Sequence, residues 1–164
     1  MKNEDAFPYN AGEVTDAATG NSTMLSGARI RLVGYSEPTV TIHNRIDLEK
    51  FISPFYADAA FEEFRVISVD SQCRVLAETV ISEGSLSEVS AYPRKIAAFA
   101  LLSNAHSVFL CHNHPGGTCA PSSEDIRSTK QIENALKLFD IYILDHMIYA
   151  GPQKLYSMRQ HGDF

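Results

Sequence analysis

Cysteine is scarce in this chain, and the spacing of the few cysteines limits what they can do. The 164 residues include only Cys73, Cys111 and Cys119, an odd number, and no two of them form a Cys-x-x-Cys pair. A disulfide framework is therefore not expected, and a structural zinc site built on four cysteines lacks its ligands. Unpaired cysteines are typical of a reducing compartment, so we expect a cytoplasmic protein.

Long apolar runs and an excess of basic residues are also missing. No window approaches the about 18 apolar residues of a membrane-spanning helix, and the N-terminus lacks the basic end and apolar stretch of a signal peptide. The formal net charge is −6, whereas a protein that holds nucleic acid by charge presents a basic face. We therefore expect neither a membrane protein nor a partner of nucleic acid.

The composition is that of one folded domain with a polar N-terminal extension. Apolar residues make up 45 % of the chain, which is enough for the core of a domain of ordinary size. Residues 1–26 are polar and show no apolar period, which predicts a flexible arm. Residues 27–164 are predicted to form a single domain.

Apolar periodicity divides the predicted domain into strands and helices. The predicted strands are residues 28–35, 64–70, 74–82, 106–112, 141–150 and 154–158. The predicted helices are residues 43–64, 93–104 and 121–139. Pro54 lies inside the first of these, which predicts either a kink or a second short helix that begins after Ser53. This order predicts an α/β or α+β domain with a mixed sheet flanked by helices.

The segment FLCHNHPGGTCAPSSED, residues 109–125, carries the strongest indication of chemistry. Side chains two apart on a strand face the same way, so His112 and His114 are predicted to point to one side. The proline and two glycines that follow permit a sharp turn toward a helix whose first turn holds Asp125. Two histidines and a carboxylate, with a fourth position left open, form the ligand pattern of a catalytic zinc site.

Simpler interpretations of the same residues stay open at this point. Histidines at the end of a strand can be merely exposed polar groups. Asp125, three residues after Ser122, also fits a capping box, in which the two side chains close the first turn of a helix. A hydrolytic zinc site further needs a general base. The candidates, which lie near strand ends, are Glu62, Glu63 and Glu83.

This segment resembles the metal motif of the JAMM (JAB/MPN+) zinc metallopeptidase domain: His-x-His-Pro, six residues, Ser, two residues, Asp. Five residues occupy these positions with that spacing: His112, His114, Pro115, Ser122 and Asp125. More narrowly, the chain resembles the RadC-like branch, whose pattern is HNHPSG followed by PS-x-x-D, with Gly116 in place of the serine. The likeness extends over roughly residues 45–158 and implies a JAB/MPN-like domain with a three-layer, cytidine-deaminase-like architecture.

The resemblance implies roles for the matching residues. His112, His114 and Asp125 would bind one zinc ion per chain. Ser122 would help to hold the oxyanion or the attacking water while it caps the helix. The implied activity is zinc-dependent hydrolysis of an amide bond in a peptide or protein, by a metallopeptidase or an isopeptidase.

The resemblance also implies which glutamate is the general base. In the RadC-like branch this residue stands two positions before the phenylalanine of an aromatic-led strand, which here gives Glu62 before Phe64. Strand geometry keeps Glu62 in phase with Phe64 and puts Glu63 on the opposite face. Glu63 is therefore the second candidate, and neither the motif nor the strand order asks for a base at Glu83.

Other residues of the branch carry weaker indications. Asp145 and His146 match a characteristic Asp-His pair, which is either a unit that orients a metal ligand or a polar pair at a strand end. Cys111 points away from His112 on the strand and is predicted to be a small buried residue. Cys119 is predicted to be a loop residue rather than a fourth ligand, and Arg94 to be structural.

Two other functions compete with hydrolysis. RadC-like proteins carry a historical DNA-repair label, and long members add an N-terminal helix-hairpin-helix segment. The polar arm of residues 1–26 does not resemble that segment, and the net charge of −6 disfavours DNA. Some members of the MPN superfamily only bind partners, but those lack the metal ligands. A protein-interaction module without turnover is therefore the other alternative.

Overall fold

A seven-stranded mixed sheet is the centre of the fold. The computed structural model describes residues 23–25, 28–32, 40–83 and 92–164, and only the main chain for the first two ranges and for Glu83. The strands are β1 Thr23–Leu25, β2 Ala28–Leu32, β3 Glu63–Val69, β4 Val75–Glu83, β5 Ser107–Asn113, β6 Tyr142–Tyr149 and β7 Leu155–Ser157. Their order across the sheet is β1-β2-β4-β3-β5-β6-β7. Only β5 and β6 run parallel among these neighbours.

Helices cover both faces of the sheet and give three layers, which confirms the predicted class. The helices are α1 Arg45–Tyr56, α2 Tyr92–Leu102, α3 Ser123–Lys137 and α4 Met158–His161. One core, between the sheet and helices α2 and α3, includes Phe64, Val66, Ile96, Leu110 and Ile132. The other core, between the sheet and α1, includes Ile52, Ile67, Phe109, Cys111 and Met147. Even-numbered residues of β5 thus face α2 and α3, and this phase places His112 on their side.

Helix α1 ends earlier than predicted and leaves an irregular segment before β3. The helix begins after Asn44, whose side-chain oxygen accepts hydrogen bonds from two N–H groups of the first turn. It ends at Tyr56, so the prediction of a helix over 43–64 was wrong for residues 57–64. Pro54 lies in the last turn and starts no second helix, because a missing N–H there removes only one hydrogen bond at the end of the helix.

The other predicted elements are found with shifts of a few residues at their ends, except that residues 33–35 of the predicted strand 28–35 lie outside the described residues. Helix α4 was not predicted, because a single turn that directly follows β7 leaves no apolar period to detect. The predicted arm, residues 1–26, overlaps β1 by three residues and otherwise lies outside the described residues, so its boundary stays a prediction. Within the described ranges, no helix has the length and apolar character needed to cross a membrane.

Candidate metal centre

The end of β5 brings two imidazoles together. His112 is fully buried, and His114 follows two residues later, just beyond the strand. Their Nε2 atoms are 2.9 Å apart. Two imidazoles that bind one tetrahedral zinc ion, each at about 2.0–2.1 Å, have these nitrogens about 3.3 Å apart. The observed spacing is therefore close to that of a pair sharing one ion.

Helix α3 supplies a carboxylate on the same side. Asp125 is 4 % exposed, with Oδ1 lying 3.4 Å from His112 Nε2 and Oδ2 lying 3.8 Å from His114 Nε2. Ser122 donates to Oδ2 from its N–H at 2.8 Å and from its hydroxyl at 2.6 Å. The hydroxyl also accepts from Asp125 N–H at 3.1 Å. The capping box is thus present, and it fixes Oδ2 while Oδ1 faces His112.

The turn between β5 and α3 sets the tautomer of His114. Gly117 adopts a φ of +78° in this turn, a value that favours glycine, and its N–H donates to the His114 carbonyl at 3.0 Å. The imidazole Nδ1 of His114 lies 2.7 Å from the carbonyl oxygen of Thr118. Because a carbonyl only accepts, Nδ1 must carry the proton. Nε2 of His114 therefore presents a lone pair to the cluster when the ring is neutral.

A chain of three hydrogen bonds sets the tautomer of His112 in the same way. The Thr129 hydroxyl donates its one proton to the Asp125 carbonyl at 2.6 Å. It can therefore only accept from His146 Nδ1, also at 2.6 Å. His146 Nε2 then accepts from His112 Nδ1 at 2.8 Å. This leaves Nε2 of His112 without a proton and directed at the cluster.

These tautomers direct the Nε2 lone pairs of His112 and His114 toward the carboxylate of Asp125. When both rings are neutral, two nitrogen lone pairs and a carboxylate oxygen converge, an arrangement that a positive charge at its centre would stabilise. Burial lowers the pKa of His112 to about 4, an effect to which His114 adds and which Asp125 opposes. Burial also holds the pKa of His146 well below its ordinary value. Both rings are thus neutral near pH 7, which is the form that binds metal.

Glu62 reaches the same cluster from the segment before β3. One ligand atom from each of Glu62, His112, His114 and Asp125 lies within 4.8 Å of the others. Oε1 of Glu62 is buried, yet it has no hydrogen-bond partner. Burial raises the pKa of Glu62, with Asp125 acting in the same direction and His114 against it. A carboxylate with an unused buried oxygen and a raised pKa has the properties of a general base.

The other two candidate bases lie elsewhere. Glu63 pairs with Arg65, which also pairs with Glu78 at 2.6 Å on the α1 side of the sheet. The strand-phase argument therefore separated Glu62 from Glu63 in the direction that the structure shows. Glu83 lies opposite Glu63 in the β3–β4 ladder, and its side chain is outside the described part of the chain.

The predicted pair of Asp145 and His146 is divided between two environments. His146 lies beneath His112, as described above. The Asp145 carboxylate instead accepts hydrogen bonds from the Ser157 hydroxyl at 2.5 Å and from Arg159 N–H at 3.1 Å. The Asp145 carboxylate also accepts from the main-chain N–H of His146 at 2.7 Å, so the two residues are joined through the main chain, and only the His146 side chain contacts a histidine of the cluster.

Three further residues stand outside the cluster. Cys111 is fully buried in the core beneath α1, where burial raises the pKa of its thiol. Cys119 is half-buried in the loop before α3 and is not one of the four clustered residues. Arg94 lies in the first turn of α2 with an exposed side chain. None of the three is a ligand candidate, as the sequence predicted for the two cysteines.

Substitution of His146 tests the hydrogen-bonded chain beneath His112. We expect His146→Ala to weaken zinc binding about 10- to 100-fold, because His112 loses the acceptor that orients its ring. The measurement is a competition titration with a chromogenic chelator. His106→Ala is the matched control, since His106 is exposed at the other end of β5, and its affinity should equal that of the wild type. Equal affinity in both variants would contradict an orienting role for His146.

Two polar side chains at the site were not singled out from the sequence. Thr129 follows Asp125 by one helical turn, and a threonine within the buried stripe of α3 was the signal for it. Asn113 is 3 % exposed between the two histidines. Its amide bridges the carbonyl of Phe61 and the N–H of Glu63. Strand alternation directs Asn113 away from the imidazoles, so the sequence pattern gave no reason to include it.

Comparison with known proteins places this fold and cluster in a family. A model of the RadC-like JAB domain matches residues 42–163. A UPF0758 protein of Pseudomonas entomophila is 32 % identical over 139 residues, which cover 85 % of this chain and 61 % of the relative. A UPF0758 protein of Shewanella amazonensis is 36 % identical over 133 residues, covering 80 % and 59 %. One from Cupriavidus pinatubonensis is 38 % identical over 107 residues, covering 65 % and 46 %. The chain thus spans about half to three-fifths of the length of these relatives.

Proposed function

Because the chain belongs to the RadC-like JAB domain family, we propose that it is a zinc-dependent hydrolase that cleaves an amide bond, as a metallopeptidase or an isopeptidase. The cluster of Glu62, His112, His114 and Asp125 carries this proposal. Two imidazoles and one carboxylate are the ligands of a catalytic zinc site that keeps a position open. The fourth residue, Glu62, supplies the acid–base group that such a site needs.

The donor set favours zinc among the common metals. Imidazole nitrogen is a ligand that zinc prefers, whereas magnesium and calcium take oxygen ligands. His112, His114 and Asp125 would hold the ion, one per chain. When bound there, zinc would polarise a carbonyl oxygen and lower the pKa of water at its open position.

Glu62 moves the proton in the proposed reaction. Its unpartnered Oε1 would accept a proton from the attacking water. The raised pKa of Glu62 lies closer to neutral pH than that of an ordinary glutamate, which favours uptake of the proton. The protonated carboxyl would then give this proton to the leaving amine. Proton uptake and release by one group leaves Glu62 in its starting form after each cycle.

Ser122 has two functions in this proposal. Its hydroxyl caps α3 and orients Asp125, which keeps the carboxylate in the cluster. The residue is also exposed. Its hydroxyl has one proton, so it would give up its bond to Asp125 Oδ2 to donate to the oxyanion that forms on the substrate, while the Ser122 N–H keeps its own bond to that oxygen. We further propose a peptide or protein as substrate and the cytoplasm as the place of action. The net charge of −6 argues against nucleic acid.

A chelation experiment tests the function directly. Zinc-loaded protein is screened against a fluorogenic peptide library and against isopeptide-linked lysine substrates. Cleavage of at least one class is expected, with loss on treatment with a chelator and recovery on return of zinc. Zinc-loaded protein that cleaves neither class would refute the proposal. Cleavage that persists after complete removal of metal would also refute it.

A further inference from the structure

Asn113 lies between His112 and His114 in the sequence, and its side chain binds the main chain of the residues before and after Glu62. We propose that Asn113 is a positioning residue, which holds the main chain on both sides of Glu62 and so sets where the Glu62 carboxylate lies relative to the two imidazoles. This inference rests on the proposed function, in which Glu62 is the base. Asn113 touches none of the four clustered groups itself and would act only through Glu62.

Two hydrogen bonds define the bracket. The Asn113 amide nitrogen donates to the carbonyl oxygen of Phe61 at 3.0 Å. The Asn113 amide oxygen accepts from the N–H of Glu63 at 2.8 Å. These are the residues immediately before and after Glu62. Because Asn113 is 3 % exposed, water has little access to compete for either bond.

The bracket lies where the sheet no longer holds this segment on the β5 side. The ladder between β3 and β5 ends at the pair Phe64 and His112. On the other side, β3 stays paired with β4 through Glu63. Residues 57–62 belong to no helix or strand. Beyond the last main-chain pair of β3 and β5, the Asn113 side chain therefore supplies the hydrogen bonds that main-chain groups of β5 would otherwise make.

Glu62 depends on its main chain because its buried Oε1 has no partner of its own. A carboxylate left without a hydrogen bond can serve as a base, but its place must be fixed from the backbone. Asn113 belongs to the strand end that carries His112 and His114, so one rigid segment positions both the imidazoles and the base. An amide suits this task because it presents a donor and an acceptor in one plane, which neither a carboxylate nor a hydroxyl does.

The first test follows the Glu63 amide, whose exchange does not depend on activity. Hydrogen exchange is measured by NMR on the wild type, on Asn113→Ala and on the control Asn134→Ala, which alters an exposed asparagine of α3. The Glu63 N–H should be protected in the wild type and in the control. In Asn113→Ala it should exchange at least about tenfold faster, while the amides of Val66 and Leu110 stay protected. Equal protection of Glu63 in all three proteins would overturn the inference.

The second test asks whether Asn113 acts through Glu62. Zinc content in Asn113→Ala should equal that of the wild type, and kcat should fall at least about tenfold with a smaller change in KM. In the background of Glu62→Gln, the same substitution should cause no further fall, since the base is already absent. Loss of zinc in Asn113→Ala, or an equal fall in both backgrounds, would overturn the inference. If Asn113→Ala does not fold, Asn113→Leu, which keeps the branched shape of the side chain, takes its place.

A third measurement separates this inference from the proposed function. In cobalt-substituted protein, the side-chain carboxyl carbon of Glu62 should show a paramagnetic shift that becomes smaller in Asn113→Ala. If the wild type cleaves no amide but the exchange and shift effects are found, the proposed function fails and the positioning by Asn113 stands. If the wild type cleaves amides and neither effect is found, the positioning fails and the function stands.

Discussion

Zinc content should fall from about one ion per chain to almost none when both histidines are replaced in His112→Ala/His114→Ala. Each ring presents an unprotonated Nε2 to the cluster, because hydrogen bonds hold the proton on the opposite nitrogen. After the substitution only Asp125 remains of the three proposed ligands, and one carboxylate does not retain zinc against dilution. The measurement is elemental analysis of protein purified without a histidine tag.

A control with two other histidines replaced shows whether the loss of zinc is specific to His112 and His114. His43→Ala/His106→Ala removes two exposed imidazoles and should leave the zinc content unchanged. A wild-type protein that holds no zinc even after zinc is added back would return His112 and His114 to ordinary strand-end residues. Asp125 would then be only a helix cap, and the hydrolase proposal would fall with the metal.

Glu62→Gln should leave zinc bound and lower kcat by about 10²- to 10⁴-fold, which is the usual contribution of a general base. Glutamine keeps the size of the side chain but cannot take up a proton. Buried Oε1 of Glu62 has no hydrogen-bond partner, so the substitution breaks no bond of this atom and should change stability little. The measurement pairs zinc analysis with turnover on the substrate found in the screen.

The neighbouring glutamate gives the matched control for this substitution. Glu63 pairs with Arg65 on the α1 side of the sheet, away from the cluster. Glu63→Gln should therefore keep kcat within about threefold of the wild type, and the weakened ion pair should appear only in stability. A fully active Glu62→Gln would contradict the assignment of the base. Glu63 would become the base if its own variant were the inactive one.

Short-range geometry related neighbouring residues of the site to one another, and the family resemblance singled out the zinc ligands and Glu62. Period-two alternation, extended one residue beyond the end of β5, relates His112 to His114, and the same alternation, extended one residue before β3, separates Glu62 from Glu63. The spacing from Ser122 to Asp125 predicts a helix start, and the structure shows its capping box. Each of these relations spans at most three residues, so the sequence states it directly.

The parts that could not be predicted depend on contacts between distant segments. Helix α1 ends at Tyr56, although no glycine or proline lies between Tyr56 and Glu62 to signal this end in the sequence. The chain of His112, His146 and Thr129 joins a strand, its parallel neighbour and the helix between them. Asn113 was missed because alternation correctly directs it away from the histidines. What it meets there is main chain from fifty residues earlier, which the sequence does not reveal.

The origin of the cluster in three separate segments links metal binding to folding. Glu62 precedes β3, His112 and His114 end β5, and Asp125 opens α3, so the complete set of donors exists only in the native state. An ion that binds the native form alone adds RT ln(1 + [L]/Kd) to the free energy of unfolding, about 4 kcal/mol at a thousandfold excess over Kd. Occupancy of the site would then stabilise the end of the β3–β5 ladder at Phe64 and His112. The abundance of the protein in a cell would follow the supply of free metal.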